Sequence, residues 1–352
     1  MKIENIETPA LLVSADALER NINKMALMLK GKNPRLRPHY KTHKCPYISA
    51  MQIKAGAKGI TCSKLSEAED LADSGIEDIL IANQIVGESK LSRLAELAKR
   101  CHLTVCADCE ENIRALSAAA SSHGAVINCY VELELGMKRC GVDTYEEFYE
   151  LAKLIKELPG LEYLGVQAYS GNMAHEFDRE KRMAVTAQNE KRVEGLVEYL
   201  KERGIDSKEV SGGSTGTSAF KAESRVYTEL QAGSYIFMDN TYGQMDLGFE
   251  NALFVLATVI SAKPGRFVID AGVKSLCPDQ GPPRVLGYDA ESLSLSEEHT
   301  SFYCAHDLSV GDKVLVIPGH CCSTVNLYDE IYFEKDAKVI ARLPVVSRGK
   351  SI

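Results

Sequence analysis

Between residues 35 and 237 short apolar runs alternate with amphipathic helical patterns eight times, and this alternation limits the fold more than any other feature. The apolar runs fall at 35–40, 59–62, 78–82, 103–107, 126–133, 161–168, 208–211 and 228–237. Helical patterns at 47–56, 64–74, 88–100, 110–122, 144–157, 178–203 and 216–222 separate them. Strands joined through helices pair in parallel with right-handed crossovers. Eight of them in succession predict an α/β fold built on a closed (β/α)8 TIM-type barrel. Ahead of the alternation, residues 8–13 read as a buried strand, and Ser14 caps an amphipathic helix over 16–28.

Beyond residue 245 the pattern changes to β-branched and apolar runs at 252–262, 266–270, 284–288, 299–304, 313–317 and 338–346, joined by Gly, Pro, Asp and Ser turns. The expected organisation is a barrel over 8–245 and a mainly-β domain over 246–352, with residues 1–7 as a candidate addition to the second. A net charge of −8 with no long basic run argues against nucleic acid as the partner. The first twenty residues lack the apolar core of a signal peptide, and no apolar run reaches membrane-spanning length. With 11 cysteines, an odd number in no small-scaffold spacing, a reducing, cytoplasmic setting is expected and no membrane partner.

Barrel active sites lie at the carboxyl ends of the strands, and the residues with chemistry collect there. Lys41, in Arg37-Pro38-His39-Tyr40-Lys41-Thr42-His43-Lys44, follows the first barrel strand. It reads as a buried lysine whose amine becomes nucleophilic through desolvation or through His39, His43 and Lys44 beside it. Taken alone, the octapeptide reads equally well as a solvated basic loop. Ser63, Asn83, Arg139 and Tyr169 follow later strands. The glycine-rich turn Ser211-Gly212-Gly213-Ser214-Thr215-Gly216-Thr217 offers backbone N–H groups and hydroxyls to a phosphate, and Gly233-Ser234 stands at the end of the eighth strand. In the second domain His320 and Cys322 lie two apart on what reads as an extended segment, a spacing suited to one metal ion.

These motifs, spread from Thr8-Pro9-Ala10 to His320-Cys321-Cys322, resemble the D-threonine aldolase and D-serine dehydratase family of alanine racemase-like pyridoxal phosphate (PLP) enzymes. The resemblance implies that Lys41 holds PLP covalently, with His39 and Ser63 among the cofactor contacts. It places Thr215, Gly233 and Ser234 at the phosphate, with Ser214 beside them in the glycine-rich turn, Tyr242 at a further cofactor contact, and Arg139 and Tyr169 at the pyridoxal ring. It makes His320 and Cys322 the ligands of a divalent metal. The aldolases carry His-x-Asp where this chain has His-x-Cys, and imidazole with thiolate selects zinc over manganese or magnesium. The chain also has Asn172 where the aldolases show histidine in Tyr-x-Gly-His, with His175 three residues on, and Ser63 where many relatives have glutamine.

On Cys322 and Asn172 the expected activity is a D-serine dehydratase-like ammonia-lyase acting on D-3-hydroxy amino acids. D-threonine aldolase, cleaving substrate to glycine and an aldehyde, is the alternative, while an amino-acid racemase or a non-catalytic PLP-binding protein ranks lower. A homodimer is the expected assembly.

Overall fold

Parallel strands covered by helices are buried on both faces, so they stay apolar at successive positions instead of alternating. The computed structural model, which describes residues 1–352, shows this pattern after an opening strand β1 (Ala10–Ser14) and helix α1 (Ala15–Leu29). Eight strands follow: β2 (Arg35–Leu36), β3 (Ile60–Cys62), β4 (Asp78–Gln84), β5 (His102–Ala107), β6 (Ile127–Glu132), β7 (Leu161–Ala168), β8 (Glu209–Gly212) and β9 (Glu229–Leu230). Between them run α2 (Pro46–Lys54), α3 (Leu65–Asp73), α4 (Glu88–Ala98), α5 (Glu110–His123), α6 (Tyr145–Glu157), α7 (Arg179–Glu202) and α8 (Ser218–Lys221).

The eight strands form one parallel sheet in the order β2-β9-β8-β7-β6-β5-β4-β3. Its ends meet, because His39 bridges Thr61, Thr61 N–H donates to Pro38 O at 2.9 Å, and Lys58 N–H donates to Leu36 O at 2.8 Å. The predicted (β/α)8 barrel is therefore present and closed. Leu80, Cys106, Tyr130 and Leu164 pack together as the barrel filling. Their neighbours along the strands, including Ile79, Ile81, Val105, Cys129 and Val131, pack outward on the helices.

Two strands are shorter than the apolar runs suggest. The run at 35–40 pairs regularly only over Arg35–Leu36, since Pro38 has no N–H to donate. The run at 228–237 leaves the sheet after Glu229–Leu230, and Ser234–Ile236 is a 3₁₀ turn in which Phe237 and Met238 N–H both donate to Ser234 O, at 3.1 and 2.7 Å.

The second unit is built on β10 (Leu253–Lys263), β11 (Arg266–Ile269), β12 (Arg284–Val285), β13 (Glu291–Leu295), β14 (Thr300–Tyr303), β15 (Lys313–Ile317), the short helix α9 (Cys321–Val325), β16 (Glu330–Lys335) and β17 (Lys338–Pro344). Its sheet runs β13-β14-β11-β10-β1-β16-β17, with β15 pairing both β10 and β12. β1 is antiparallel to β10 and parallel to β16, so the first strand of the chain sits inside this sheet. The compact units accordingly interleave in sequence: Met1–Met25, Thr42–Cys45 and Ser234–Gly349 form one, and Ala26–Lys41, Pro46–Gly233 and Lys350–Ile352 the other. This differs from a single cut at residue 245. Strands β13 and β16 were not apparent in the sequence: β13 has only two apolar residues, Leu293 and Leu295, and β16 is bounded by Glu330 at one end and by Glu334 and Lys335 at the other. No helix is long and apolar enough to cross a membrane.

The amino ends of the barrel strands carry a buried ionic cluster. Arg37, only 1% exposed, meets Glu229 Oε1 at 2.9 Å and Asp78 Oδ1 at 2.8 Å, and Lys58 donates to Glu229 at 2.7 Å. Lys58 also pairs with Glu209, and His102 with Asp78 at 3.1 Å. Burial by itself would push the Glu229 carboxyl up, but Arg37 and Lys58 together hold it below its usual range. Asp78 is likewise held low against its burial, by His102 and Arg37.

A carboxyl held low in the fold stabilises it at pH values above its ordinary pKa, and that contribution disappears as pH falls through the folded value. Arg37→Ala leaves Glu229 a buried, under-compensated charge and is expected to cost about 3–5 kcal/mol at neutral pH. The gap to wild type in urea unfolding should narrow once the pH falls below about 4, where the carboxyls protonate in the variant first. A gap that does not change with pH would contradict the ionic account of this cluster.

Candidate active site

At the carboxyl end of β2 the chain turns through a 3₁₀ turn, Tyr40–Thr42. The turn sends Tyr40 and Thr42 inward, both 0% exposed, and leaves Lys41 exposed. The expectation of a buried Lys41 is therefore corrected: a single helical turn places neighbouring side chains on different sides, and burial falls on the flanking residues. His39 is buried, accepting at Nδ1 from Lys41 N–H at 3.4 Å, while its Nε2 lies 3.4 Å from Ser63 Oγ. His43 is fully buried and accepts at Nδ1 from Cys45 N–H at 3.2 Å, so it serves the local turn. Asn83 anchors the neighbouring loop by donating to Ser63 O at 3.0 Å.

Further round the same face, the Arg139 guanidinium lies 5.4 Å from the centroid of the Tyr169 ring and 3.8 Å from Glu132 Oε1. Glu132, at the end of β6, was missed in the sequence. Burial raises its carboxyl, and a hydrogen bond from Gln84 Nε2 at 2.7 Å together with Arg139 only partly offsets this. Its signal was available, since a carboxylate ending an otherwise apolar barrel strand is placed where barrel chemistry occurs. Asn172 is exposed and accepts from Ser170 Oγ at 2.7 Å, whereas His175 has its Nε2 buried.

After β8 the backbone is drawn tight. Gly213 has φ +78°, and a Cβ on Gly216 would lie 2.1 Å from Ala174 O, so neither position accepts a side chain. Ser214 N–H donates to Thr217 Oγ1 at 3.0 Å, and Ser214, Thr215 and Thr217 are all buried. Bare backbone beside three hydroxyls is a fit for a phosphate group. Gly233 closes the barrel unit, and Ser234 opens the next segment of the β unit.

In the β unit His320 and Cys322 do come together, although not on an extended segment. His320 is the N-cap residue of α9, with φ −139° and ψ 117°, and Cys322 lies in the first turn of that helix. Two residues apart across a helix start still bring thiol and imidazole within hydrogen-bonding reach. Cys322 Sγ also donates to Thr42 Oγ1 at 3.3 Å and lies 3.6 Å from Ser234 Oγ. His320 Nδ1 stands 2.9 Å from Asp279 Oδ2. Burial alone would lower the His320 pKa, but Cys322 and Asp279 outweigh it and raise it to about 9. No third His, Cys, Asp or Glu completes a ligand cluster. Imidazole with thiolate is a fit for a soft divalent ion that takes its remaining ligands from solvent or substrate.

Asp239, fully buried, accepts from Tyr242 N–H at 2.8 Å and from Cys321 N–H at 3.0 Å, joining the turn of Tyr242 to the start of α9. The sequence signal for it was weak: an aspartate three residues ahead of a short helical turn. Asp279, within Cys277-Pro278-Asp279-Gln280-Gly281, had only turn composition to mark it.

The chain thus combines a closed (β/α)8 barrel, with a lysine exposed after its first strand, and a β unit bearing a His–Cys pair at the start of α9. The chain belongs to the family described as "Alanine racemase, N-terminal domain", whose model matches residues 13–241, and a "Putative serine dehydratase domain" matches residues 252–333. It is 41% identical to the 3-hydroxy-D-aspartate aldolase of Paracoccus denitrificans (strain Pd 1222), over 99% of this chain and 94% of that one. Among solved structures, D-threonine aldolase from Filomicrobium marinum superposes with a TM-score of 0.97 at 37% identity, covering 99% of this chain and 98% of that one. A cysteine-to-alanine variant of D-threo-3-hydroxyaspartate dehydratase, solved in a metal-free form, superposes with a TM-score of 0.87 at 25% identity, covering 98% of both chains.

Asp239→Asn keeps one acceptor oxygen and replaces the other by a donor that faces an N–H. It should destabilise the β unit by about 1–3 kcal/mol, read as a lower midpoint in thermal or urea unfolding. Unchanged stability would show that Asp239 does not tie the two turns.

Proposed function

We propose that this chain is a PLP- and metal-dependent lyase acting on D-3-hydroxy amino acids, and that it cleaves the Cα–Cβ bond to release glycine and an aldehyde. This puts the aldolase reaction ahead of the dehydratase that the sequence favoured. The observation that carries it is the full-length relationship to aldolases, 41% identity to one and a TM-score of 0.97 to another. Asn172 and Cys322 remain the departures noted in the sequence, and they support dehydration of D-serine or a 3-hydroxy acid as the second reading.

When bound, PLP supplies an electron sink conjugated with the substrate Cα. Lys41 Nζ, exposed in the turn after β2, is the amine that would hold the cofactor, and as a free amine it could carry a proton to or from the substrate. His39 and Ser63 line the same strand ends, and Ser214, Thr215 and Gly233 would hold the phosphate with neutral donors. Arg139, whose guanidinium lies 5.4 Å from the centroid of the Tyr169 ring, would place a cation next to the pyridoxal ring. His320 and Cys322 would hold the divalent ion, with zinc the best match to a thiolate donor.

The deciding experiment supplies the PLP-loaded, metal-supplemented protein with D-threonine, 3-hydroxy-D-aspartate and D-serine and identifies the products. Glycine and the matching aldehyde should predominate over ammonia and keto acid. Predominant ammonia and keto acid would transfer the assignment to the dehydratase, and racemised substrate with neither product set would remove the lyase reading.

A further inference from the structure

A histidine ligand works only if the correct ring nitrogen is deprotonated and the ring is held still, and two residues on one short turn do not secure either condition. The surroundings of His320 do. Asp279 Oδ1 and Oδ2 lie 3.0 and 2.9 Å from His320 Nδ1, and Ser323 Oγ lies 3.1 Å from that nitrogen and donates to Asp279 Oδ2 at 3.1 Å. An ionised carboxylate only accepts, so it selects the tautomer with hydrogen on Nδ1 and leaves the Nε2 lone pair for an ion. The His320 ring is largely buried, with its side chain 16% exposed.

Asp279 is itself held in place. Cys277 Sγ donates to Asp279 Oδ1 at 3.2 Å, and Cys277 N–H donates to Thr324 Oγ1 at 3.1 Å, which ties the loop of Asp279 to α9. The carboxylate and the helix that starts at His320 are therefore one hydrogen-bonded assembly, and the orientation of the ring follows from it. An isolated exposed ion pair would be screened by solvent and would leave ion binding unaffected. Convergence of imidazole, hydroxyl and thiol donors on one carboxylate is the arrangement by which outer residues orient a metal-binding histidine.

We propose that Asp279 is the positioning residue of the His320–Cys322 pair: it fixes the His320 ring with Nδ1 protonated and presents Nε2 to the metal. The inference rests on the reading of His320 and Cys322 as metal ligands, and the test separates the two. Zinc affinity of the full-length protein is measured by competition with a chromophoric chelator for wild type, Asp279→Asn, Asp279→Ala and His320→Ala, with the melting temperature of each protein recorded metal-free. Cobalt substitution reports the thiolate–metal absorption band independently of activity.

Asp279→Ala should bind zinc roughly 10- to 100-fold more weakly while retaining the cobalt–thiolate band at saturating cobalt. Asp279→Asn keeps an acceptor and should fall between that variant and wild type. Wild-type zinc affinity in Asp279→Ala, with binding abolished in His320→Ala, overturns the positioning role and leaves the metal pair standing. Unchanged zinc affinity in His320→Ala overturns the pair and with it the inference. Should Asp279→Ala fail to fold, Asp279→Asn decides: an affinity at least about three-fold weaker than wild type supports the role, and an unchanged affinity overturns it.

Discussion

The buried contact between Arg37 and Glu229 is the interaction on which the barrel depends. Strand β2 pairs regularly over only two residues, and it must join both β9 and the β3 edge for the sheet to close. Backbone pairing continues past it only as separate bonds, from Arg37 and His39 N–H to Leu230 and Ala232 O and from Lys58 and Thr61 N–H to Leu36 and Pro38 O. Arg37 supplements it by reaching Glu229 at the start of β9 and Asp78 at the start of β4. Space for this is provided at Gly59, where a Cβ would come within 2.5 Å of both Arg37 Nη1 and Asp78 O. Lys41 lies four residues beyond Arg37 on the same segment, in the turn Tyr40–Thr42. Holding Arg37 therefore also bears on where that turn begins.

The β unit relies on side chains capping short turns. Asp239 spends its carboxylate on two backbone N–H groups, one beside Tyr242 and one at Cys321. Asp279 receives His320, Ser323 and Cys277. Helix α9 has only five residues, too few to be stable without such contacts, so the two aspartates define the geometry of the His–Cys pair. Carboxylates of this kind are positioned by long-range packing and seldom have a local sequence signature.

What was legible in the sequence reflects this difference. The eight-fold alternation predicted a closed barrel because both faces of each strand are buried, and the strand-end rule placed Ser63, Arg139, Tyr169 and the 211–217 turn on one face. The failures came where tertiary pairing decides. The run at 228–237 read as one strand but belongs to two units, and β16, with Glu330, Glu334 and Lys335, is held by β1 and β17 in spite of its charge. Lys41 was expected to be buried among polar groups at a strand end, yet the 3₁₀ turn exposes it. The His320–Cys322 pairing was anticipated on a wrong backbone, an extended strand in place of a helix start. Family resemblance favoured a dehydratase through two residues, whereas similarity across the whole chain favours an aldolase.

Lys41, in the turn after β2, is the amine proposed to bind the cofactor. The most direct measurement is to load the protein with PLP, reduce it with borohydride, digest it and locate the pyridoxyl group by mass spectrometry. A single modified peptide with the label on Lys41 is expected. Label on Lys44 or another lysine, or no stable label at all, would contradict it.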